Sequence, residues 1–107
     1  MDYILDIPKI VDRDIEDIHD YIARHNTAAA KKVAKGLTKA IERLLLSPFA
    51  YPKMSEKFAV ETDLMASYEG HFVILFRVDG NLIKVYRVLD TRSDYLVRLG
   101  VIHRDED

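Results

Sequence analysis

Residues 72–89, with the sequence FVILFRVDGNLIKVYRVL, decide the fold class of this chain. Two runs rich in aliphatic and aromatic residues flank Asp79-Gly80-Asn81, and turn-forming residues between two such runs are typical of a β-hairpin. We therefore predict two antiparallel strands, at 71–78 and 82–89. A third predicted strand covers about 61–69, and Gly70 supplies the turn into the next one.

The sequence before these strands has the periodicity of helices. Apolar residues recur every three or four positions in two segments, and this spacing places them on one stripe of each helix. The predicted helices cover about 9–25 and 28–46, and the short connection makes them an antiparallel hairpin. Their stripes consist of Val11, Ile15, Ile18, Ile22, Ala30, Val33, Leu37, Ile41 and Leu44.

Two short elements complete the predicted fold. Alternating residues at 2–7 indicate an N-terminal strand, which Pro8 ends because proline lacks a backbone donor. A short C-terminal helix is predicted to begin near Arg92-Ser93 and to stop at Gly100. The fold class is α+β: an N-terminal strand, an antiparallel helical hairpin packed on a small antiparallel β-sheet, and a short C-terminal helix.

The helix stripes should meet the more apolar face of the hairpin. Alternate residues of two paired strands share a face, so the strand residues expected to face the helices are Phe72, Ile74, Phe76, Val78, Ile83, Val85, Arg87 and Leu89. The predicted core contains Phe72, Ile74, Phe76, Ile83 and Val85, together with the valines, leucines and isoleucines of the helix stripes.

The opposite face of the hairpin mixes charged, aromatic and aliphatic side chains. Three interpretations fit it: a solvated outer surface, which is the default, a nucleic-acid platform, or the landing place of a partner segment. The candidate nucleic-acid or target-binding residues are His71, Arg77, Lys84 and Tyr86. The apolar residues on which a partner would dock are Val73, Leu75, Leu82 and Val88.

The composition limits the class of protein. A length of 107 residues fits one domain, predicted at 1–107 with a polar tail at about 101–107. The absence of cysteine excludes a thiolate metal site, and four dispersed histidines give no metal motif, so we expect no metal and no cofactor. A formal net charge of −2 argues against binding nucleic acid through bulk charge. With no signal-peptide pattern and no bilayer-spanning run, we expect a cytoplasmic protein with no membrane partner.

Charged and aromatic residues cluster where the last predicted strand ends. Arg87, Arg92 and Tyr95 are the candidate catalytic residues. Arginine stabilises the charge that develops in phosphoryl transfer, and tyrosine stacks on a base or exchanges a proton. The alternative is a helix start, in which Asp90 or a neighbour is the cap and Arg92 pairs with a nearby carboxylate. Spacing alone favours the helix start.

Four stretches together resemble the RelE/ParE family, the toxins of bacterial type II toxin–antitoxin systems. They are DIEDIHDYI at 14–22, AAAKK at 28–32 leading to AIERL at 40–44 and Ser47-Pro48, FVILFRVDG at 72–80, and IKVYRVL at 83–89 followed by Arg92 and Asp94. Their order and separation match the family over nearly all of the chain up to Gly100. The resemblance implies the fold described above and a growth-arresting toxin of a plasmid-stabilising module.

The resemblance implies three alternatives for function. The first is ribosome-dependent mRNA cleavage, in which the basic candidates hold phosphate and Tyr86 or Tyr95 stacks a base or assists proton transfer. The second is ParE-like inhibition of DNA gyrase by binding alone, with no catalytic group. The third is a non-toxic interaction module or co-repressor partner. Family members often have an arginine on the strand before Phe72; residues 61–65 lack it, which, with the slightly acidic charge, favours the second alternative over the first.

The implied partner is a cognate antitoxin, in a toxin–antitoxin hetero-oligomer. We expect its tail to cover the apolar residues of the open sheet face, or to add as a strand to an unpaired sheet edge. The edge would belong to the N-terminal strand or to the strand at 61–69.

Overall fold

The computed structural model describes residues 2–55 and 62–93, so the predicted C-terminal helix and polar tail lie outside the described residues. The elements follow the predicted order. They are β1 (Ile4–Asp6), α1 (Lys9–Ala23), α2 (Thr27–Arg43), a 3-10 turn (Pro48–Ala50), β2 (Met65–Glu69), β3 (Phe72–Asp79) and β4 (Leu82–Asp90). No helix within these ranges is long and apolar enough to cross a membrane.

The two helices form where the apolar stripes predicted them. α1 begins directly after Pro8, whose extended backbone leads into the first turn. The Asn26 side chain caps α2 by accepting a hydrogen bond from the Ala29 N–H over 3.0 Å, which satisfies one of the donors that a helix start leaves unpaired. Both helices end two or three residues before the predicted positions, α1 at Ala23 and α2 at Arg43.

The sheet has the strand order β1-β4-β3-β2. β2, β3 and β4 are antiparallel neighbours, and Gly70 and Gly80 take positive φ in the turns between them, a conformation that glycine adopts without steric cost. The predicted fold class is confirmed with one difference. β1 runs parallel to β4, with Ile4 opposite Leu82. Parallel neighbours need a long connection, and here both helices, β2 and β3 lie between them in the chain. The sheet is therefore mixed.

A β-bulge in β4 changes which side chains face the helices. The register between β3 and β4 shifts by one residue at Leu75/Phe76, so Tyr86 is an extra residue of β4. One extra residue moves the side chains beyond it to the other face. Val88 therefore packs toward the helices and Leu89 lies on the opposite face, each the reverse of the prediction.

One core fills the space between the helices and the sheet. It contains the predicted helix and strand residues apart from Ile22. Leu37 and Phe76 are 1% and 0% exposed, and the ring of Tyr51 packs edge-on against Phe76 at 5.8 Å between centroids. The predicted location of the core is confirmed.

A second, smaller core lies on the other face of the sheet, beside β2. Its buried members are Met54, Ala66, Val73, Leu75 and Leu89. The connection that follows the 3-10 turn reaches this face because it pairs with the edge of β2. The Met54 N–H donates to the Leu64 carbonyl over 2.9 Å, and the Ala66 N–H donates to the Pro52 carbonyl over 3.0 Å.

This second core corrects the prediction of an open apolar face. Val73 and Leu75 are completely buried within it, and Val88 belongs to the core beneath the helices. These three residues cannot dock a partner, and Leu82 alone of the predicted set keeps partial exposure. The part of this face that stays open lies near the β3–β4 turn, around Arg77.

Candidate functional site

The structure separates the predicted site residues into groups at opposite ends of β3. Arg77 and Lys84 are register partners near the β3–β4 turn. His71 and Arg92 lie at the other end, just before β3 begins and just after β4 ends. A strand rises roughly 3.3 Å per residue, so His71 and Arg77 are about 20 Å apart along the chain. The predicted residues do not form one site, and Tyr95 lies outside the described residues.

Arg77, Lys84 and Tyr86 make up what we call the outer-face patch, on the side of the sheet away from the helices. Arg77 Nη1 lies 3.6 Å from Asp63 Oδ2, and Lys84 Nζ lies 3.2 Å from Asp79 Oδ2. These pairs are largely exposed and add little stability. Like charges directly opposite each other destabilise a sheet. Stability therefore gives no strong reason for two cations at this position.

Tyr86 belongs to this patch through the bulge. It is the extra residue of β4 and its side chain is 50% exposed. Bulges commonly re-aim a side chain next to a functional surface. The patch thus offers two cations and one aromatic ring.

Arg87 is not part of the patch, because α1 holds it. Its Nε donates to Asp14 Oδ2 over 2.7 Å and its Nη2 donates to Asp14 Oδ1 over 2.8 Å, a bidentate pair. The Val88 N–H also donates to Asp14 Oδ2, over 3.0 Å. These hydrogen bonds hold the pKa of Arg87 above its ordinary value, although partial burial opposes the shift. The guanidinium therefore ties α1 to β4 and stays charged at any working pH.

Asp14 was missed as an interacting residue by the sequence analysis, although the sequence contains a signal for it. Asp14 lies three residues after Val11 and four before Ile18, which is a position on the apolar stripe of α1. A carboxylate placed on a core stripe requires a buried partner. The side chain is indeed only 9% exposed.

Arg92 pairs with Asp90, as the helix-start alternative predicted. Its backbone N–H and Nε donate to Asp90 Oδ1 over 2.8 and 3.0 Å, and its Nη2 donates to Oδ2 over 2.7 Å. These bonds hold the pKa of Asp90 below its ordinary value and raise that of Arg92. The Arg92 side chain stays 61% exposed, and it borders a cavity of about 470 Å³ together with Tyr21 and Phe72.

His71 has a structural contact through its backbone. Its carbonyl accepts hydrogen bonds from the Thr91 N–H at 2.8 Å and the Thr91 hydroxyl at 3.0 Å, which joins the β2–β3 turn to the end of β4. In residues 2–55 and 62–93, no three side chains of His, Cys, Asp or Glu lie together as metal ligands would. The described part of the chain thus offers hydrogen-bonding and charged groups, without a metal-binding cluster.

Residues 6–95 match the sequence model of the ParE toxin of the type II toxin–antitoxin system parDE. This match spans most of the chain and decides its family. The chain belongs to the ParE toxin family. No curated protein sequence gives a significant match.

Solved structures share the fold of this ParE-family chain at low sequence identity. A chain of the chromosomal ParDE toxin–antitoxin system from P. aeruginosa superposes with a TM-score of 0.69 at 18% identity, covering 82% of this chain and 95% of that one. A chain of the toxin–antitoxin complex RelBE2 from Mycobacterium tuberculosis gives 0.51 at 17% identity, covering 84% of this chain and 99% of that one. Both comparisons show that this ParE-family chain shares its fold with chains of toxin–antitoxin systems.

Proposed function

We propose that this toxin arrests growth by binding its target without cleaving RNA, and that the target is DNA gyrase. The observation that carries the proposal is the bidentate clamp of Asp14 on Arg87. An arginine that stabilises a reacting phosphate has to present its donors to that phosphate. Arg87 instead directs two donors at a buried carboxylate, and this arrangement is structural.

Arg92 and the predicted target-binding cations support the same conclusion. Arg92 gives three donors to Asp90. Arg77 and Lys84 lie near the opposite end of the sheet, too far away to act with Arg92 on one phosphate. The net charge of −2 also gives the toxin little general attraction for ribosomal RNA. Gyrase is the target that the resemblance to ParE-like members implies.

The outer-face patch is the surface that we propose contacts the target. Arg77 and Tyr86 are about half exposed. Arginine and tyrosine are enriched where binding energy concentrates, because they combine apolar area with hydrogen-bonding groups. A binding toxin needs this kind of surface, and the antitoxin neutralises it by covering the patch or by competing for it.

The test is to induce the toxin in bacteria and follow the first minutes of DNA and protein synthesis by pulse labelling. We expect DNA synthesis to fall first, and the purified toxin to inhibit gyrase supercoiling. Arg77→Ala with Lys84→Ala should weaken inhibition by about tenfold or more, a loss of roughly 1.4 kcal/mol in binding free energy. Lys31→Ala removes an exposed cation from α2 and is the matched control, expected to stay at wild-type activity.

Two results would contradict this proposal. Prompt loss of protein synthesis with cleaved mRNA on purified ribosomes would show a nuclease, particularly if Arg92→Gln abolished the cleavage. A fully active Arg77→Ala, Lys84→Ala variant would exclude the outer-face patch as the contact surface. Thermal unfolding of each variant shows whether its fold is intact.

A further inference from the structure

A groove distant from the outer-face patch runs between α2 and the β2–β3 turn. It consists of two adjoining cavities of about 520 and 580 Å³, and Gly36, Lys39 and Glu69 line both. Together they follow α2 from Lys32 to Arg43, about 16 Å along the helix axis at roughly 1.5 Å per residue. That length fits about five residues of extended chain or three turns of a helix.

The groove has an apolar floor and a basic rim. Val33, Leu37 and Phe72 supply apolar lining. The charged lining residues are Lys32, Lys35, Lys39 and Arg43 against Glu42 and Glu69. Four cations minus two carboxylates leave the lining at +2, in a chain with a formal net charge of −2. The positive charge is therefore concentrated at this groove.

The lysines of the rim are available to a partner. Lys32, Lys35 and Lys39 are exposed, and none of the ion pairs in the described part of the chain involves them. Arg43 donates to Glu69 over 3.0 Å, so the other wall of the groove offers little further carboxylate to the lysines. An anionic group from outside is the natural complement of this rim.

Gly36 lies between these lysines and leaves the groove open. Glycine within a helix destabilises it relative to alanine. A Cβ built on Gly36 would meet no heavy atom of the described chain within 4 Å, and its φ is not positive. The fold itself therefore does not require this glycine. A partner chain that packs against the helix surface would favour a small residue here, because a large side chain at this position would occupy the groove.

We propose that this groove binds an acidic segment of a partner protein, in which carboxylates flank a large apolar side chain. The apolar side chain packs on the floor beside Gly36, and the carboxylates pair with the lysines of the rim. The groove thus combines an apolar floor with a basic rim along its length, which is the combination that an amphipathic peptide binds.

A nucleic acid is less well suited to the same groove. Its phosphates would meet Glu42 and Glu69 as well as the lysines, and its sugar–phosphate backbone would leave the apolar floor uncovered. A peptide satisfies the floor and the rim together. The test therefore includes an RNA probe.

The probes are fluorescent peptides of about twelve residues, enough to span the groove in extended form. The first carries glutamates around a leucine and a phenylalanine. The second has glutamine in place of glutamate, and the third has alanine in place of the two apolar residues. We expect the purified full chain to bind the first peptide by fluorescence anisotropy, and each of the others at least about tenfold more weakly.

Four variants locate the binding. Lys35→Glu with Lys39→Glu should weaken binding of the first peptide by about tenfold or more, because like charges then face each other. Lys31→Glu reverses a charge on α2 outside the lining and should leave binding unchanged. Gly36→Leu should block the groove with all charges retained, whereas Gly36→Ala should bind within about threefold of wild type. Circular dichroism melts should show that both Gly36 variants fold.

Several results would overturn the proposal. They are an absence of peptide binding at low salt, equal binding of the glutamine peptide, and full binding by Gly36→Leu. Displacement of the peptide by single-stranded RNA, with the RNA lost from the Lys35→Glu, Lys39→Glu variant, would assign the groove to nucleic acid. A dimer in sedimentation that the same variant dissociates would assign it to a second copy of the chain. None of these measurements depends on gyrase, so this inference and the proposed function fail separately.

Discussion

The Asp14 carboxylate accepts three hydrogen bonds from β4, two from the Arg87 side chain and one from the Val88 N–H. The pair is mostly buried, with Asp14 at 9% and Arg87 at 22% side-chain exposure. At such a site the loss of one partner costs more than the pair contributes, because a charge then remains in apolar surroundings. The same arginine, seen in the sequence alone, has the chemistry of a catalytic residue.

We predict that Asp14→Ala lowers the free energy of unfolding by about 2–4 kcal/mol, because it leaves Arg87 and the Val88 N–H without their acceptor. Replacing both partners, as Asp14→Leu with Arg87→Met, should cost less than Asp14→Ala alone. Urea unfolding followed by circular dichroism measures both values. A double variant as unstable as the sum of the two single variants would show that the residues are not energetically coupled.

At the level of elements, replacing glycine by alanine should have opposite effects on stability in α2 and in the β3–β4 turn. Gly36→Ala should raise the free energy of unfolding by about 0.5–1 kcal/mol, because it improves the helix and its Cβ meets nothing. Gly80 has φ +60°, a backbone conformation that residues with a side chain rarely adopt. Gly80→Ala should therefore lower the free energy of unfolding by about 1–2 kcal/mol.

Urea unfolding of each variant under identical conditions checks both predictions. The comparison uses the shift of the urea midpoint relative to wild type, which needs no extrapolation to water. If Gly36→Ala also destabilised the chain, the space above Gly36 would be filled in solution. The groove would then be closed in the free protein.

The elements also show where sequence patterns succeed. The stripes of α1 and α2 and the turn at Gly80 follow from residue spacing, so both helices and the hairpin were predicted near their observed positions. The bulge at Tyr86 was not, because no glycine or proline marks it and either register leaves an alternating pattern. Because of this one extra residue, Val88 and Leu89 lie on the faces opposite to those predicted.

For the whole molecule, the main core could be predicted and the second one could not. The helix stripes and the strand alternation both point to the main core, whereas Met54 reaches the second through backbone pairing at Pro52, which has no periodic signature. The candidate site was predicted in composition only. Its described residues are spread over the β3–β4 hairpin and the residues that flank it. The sequence also does not show that the Asp14 carboxylate is already paired with one of the predicted cations, Arg87.

The main core should tolerate truncation poorly. Leu37 is 1% exposed between the two layers, so Leu37→Ala should cost about 2–5 kcal/mol through lost burial and the cavity that remains. Leu46 is 83% exposed, and Leu46→Ala should change stability by less than about 0.5 kcal/mol. Thermal unfolding of the pair checks the prediction, and equal effects would place Leu37 outside the core.

The parallel pairing of β1 with β4 affects how the chain folds during its synthesis. Translation runs from the N-terminus, so Ile4 is made 78 residues before its partner Leu82. Pairs so distant in sequence close slowly. Until β4 is synthesised, β1 has no strand to pair with and Asp14 has no arginine partner. Lys84 is also not yet present opposite Arg77. We therefore expect the sheet to stay incomplete until β4 has been synthesised, so that the outer-face patch forms only after the helices and the other strands have been made.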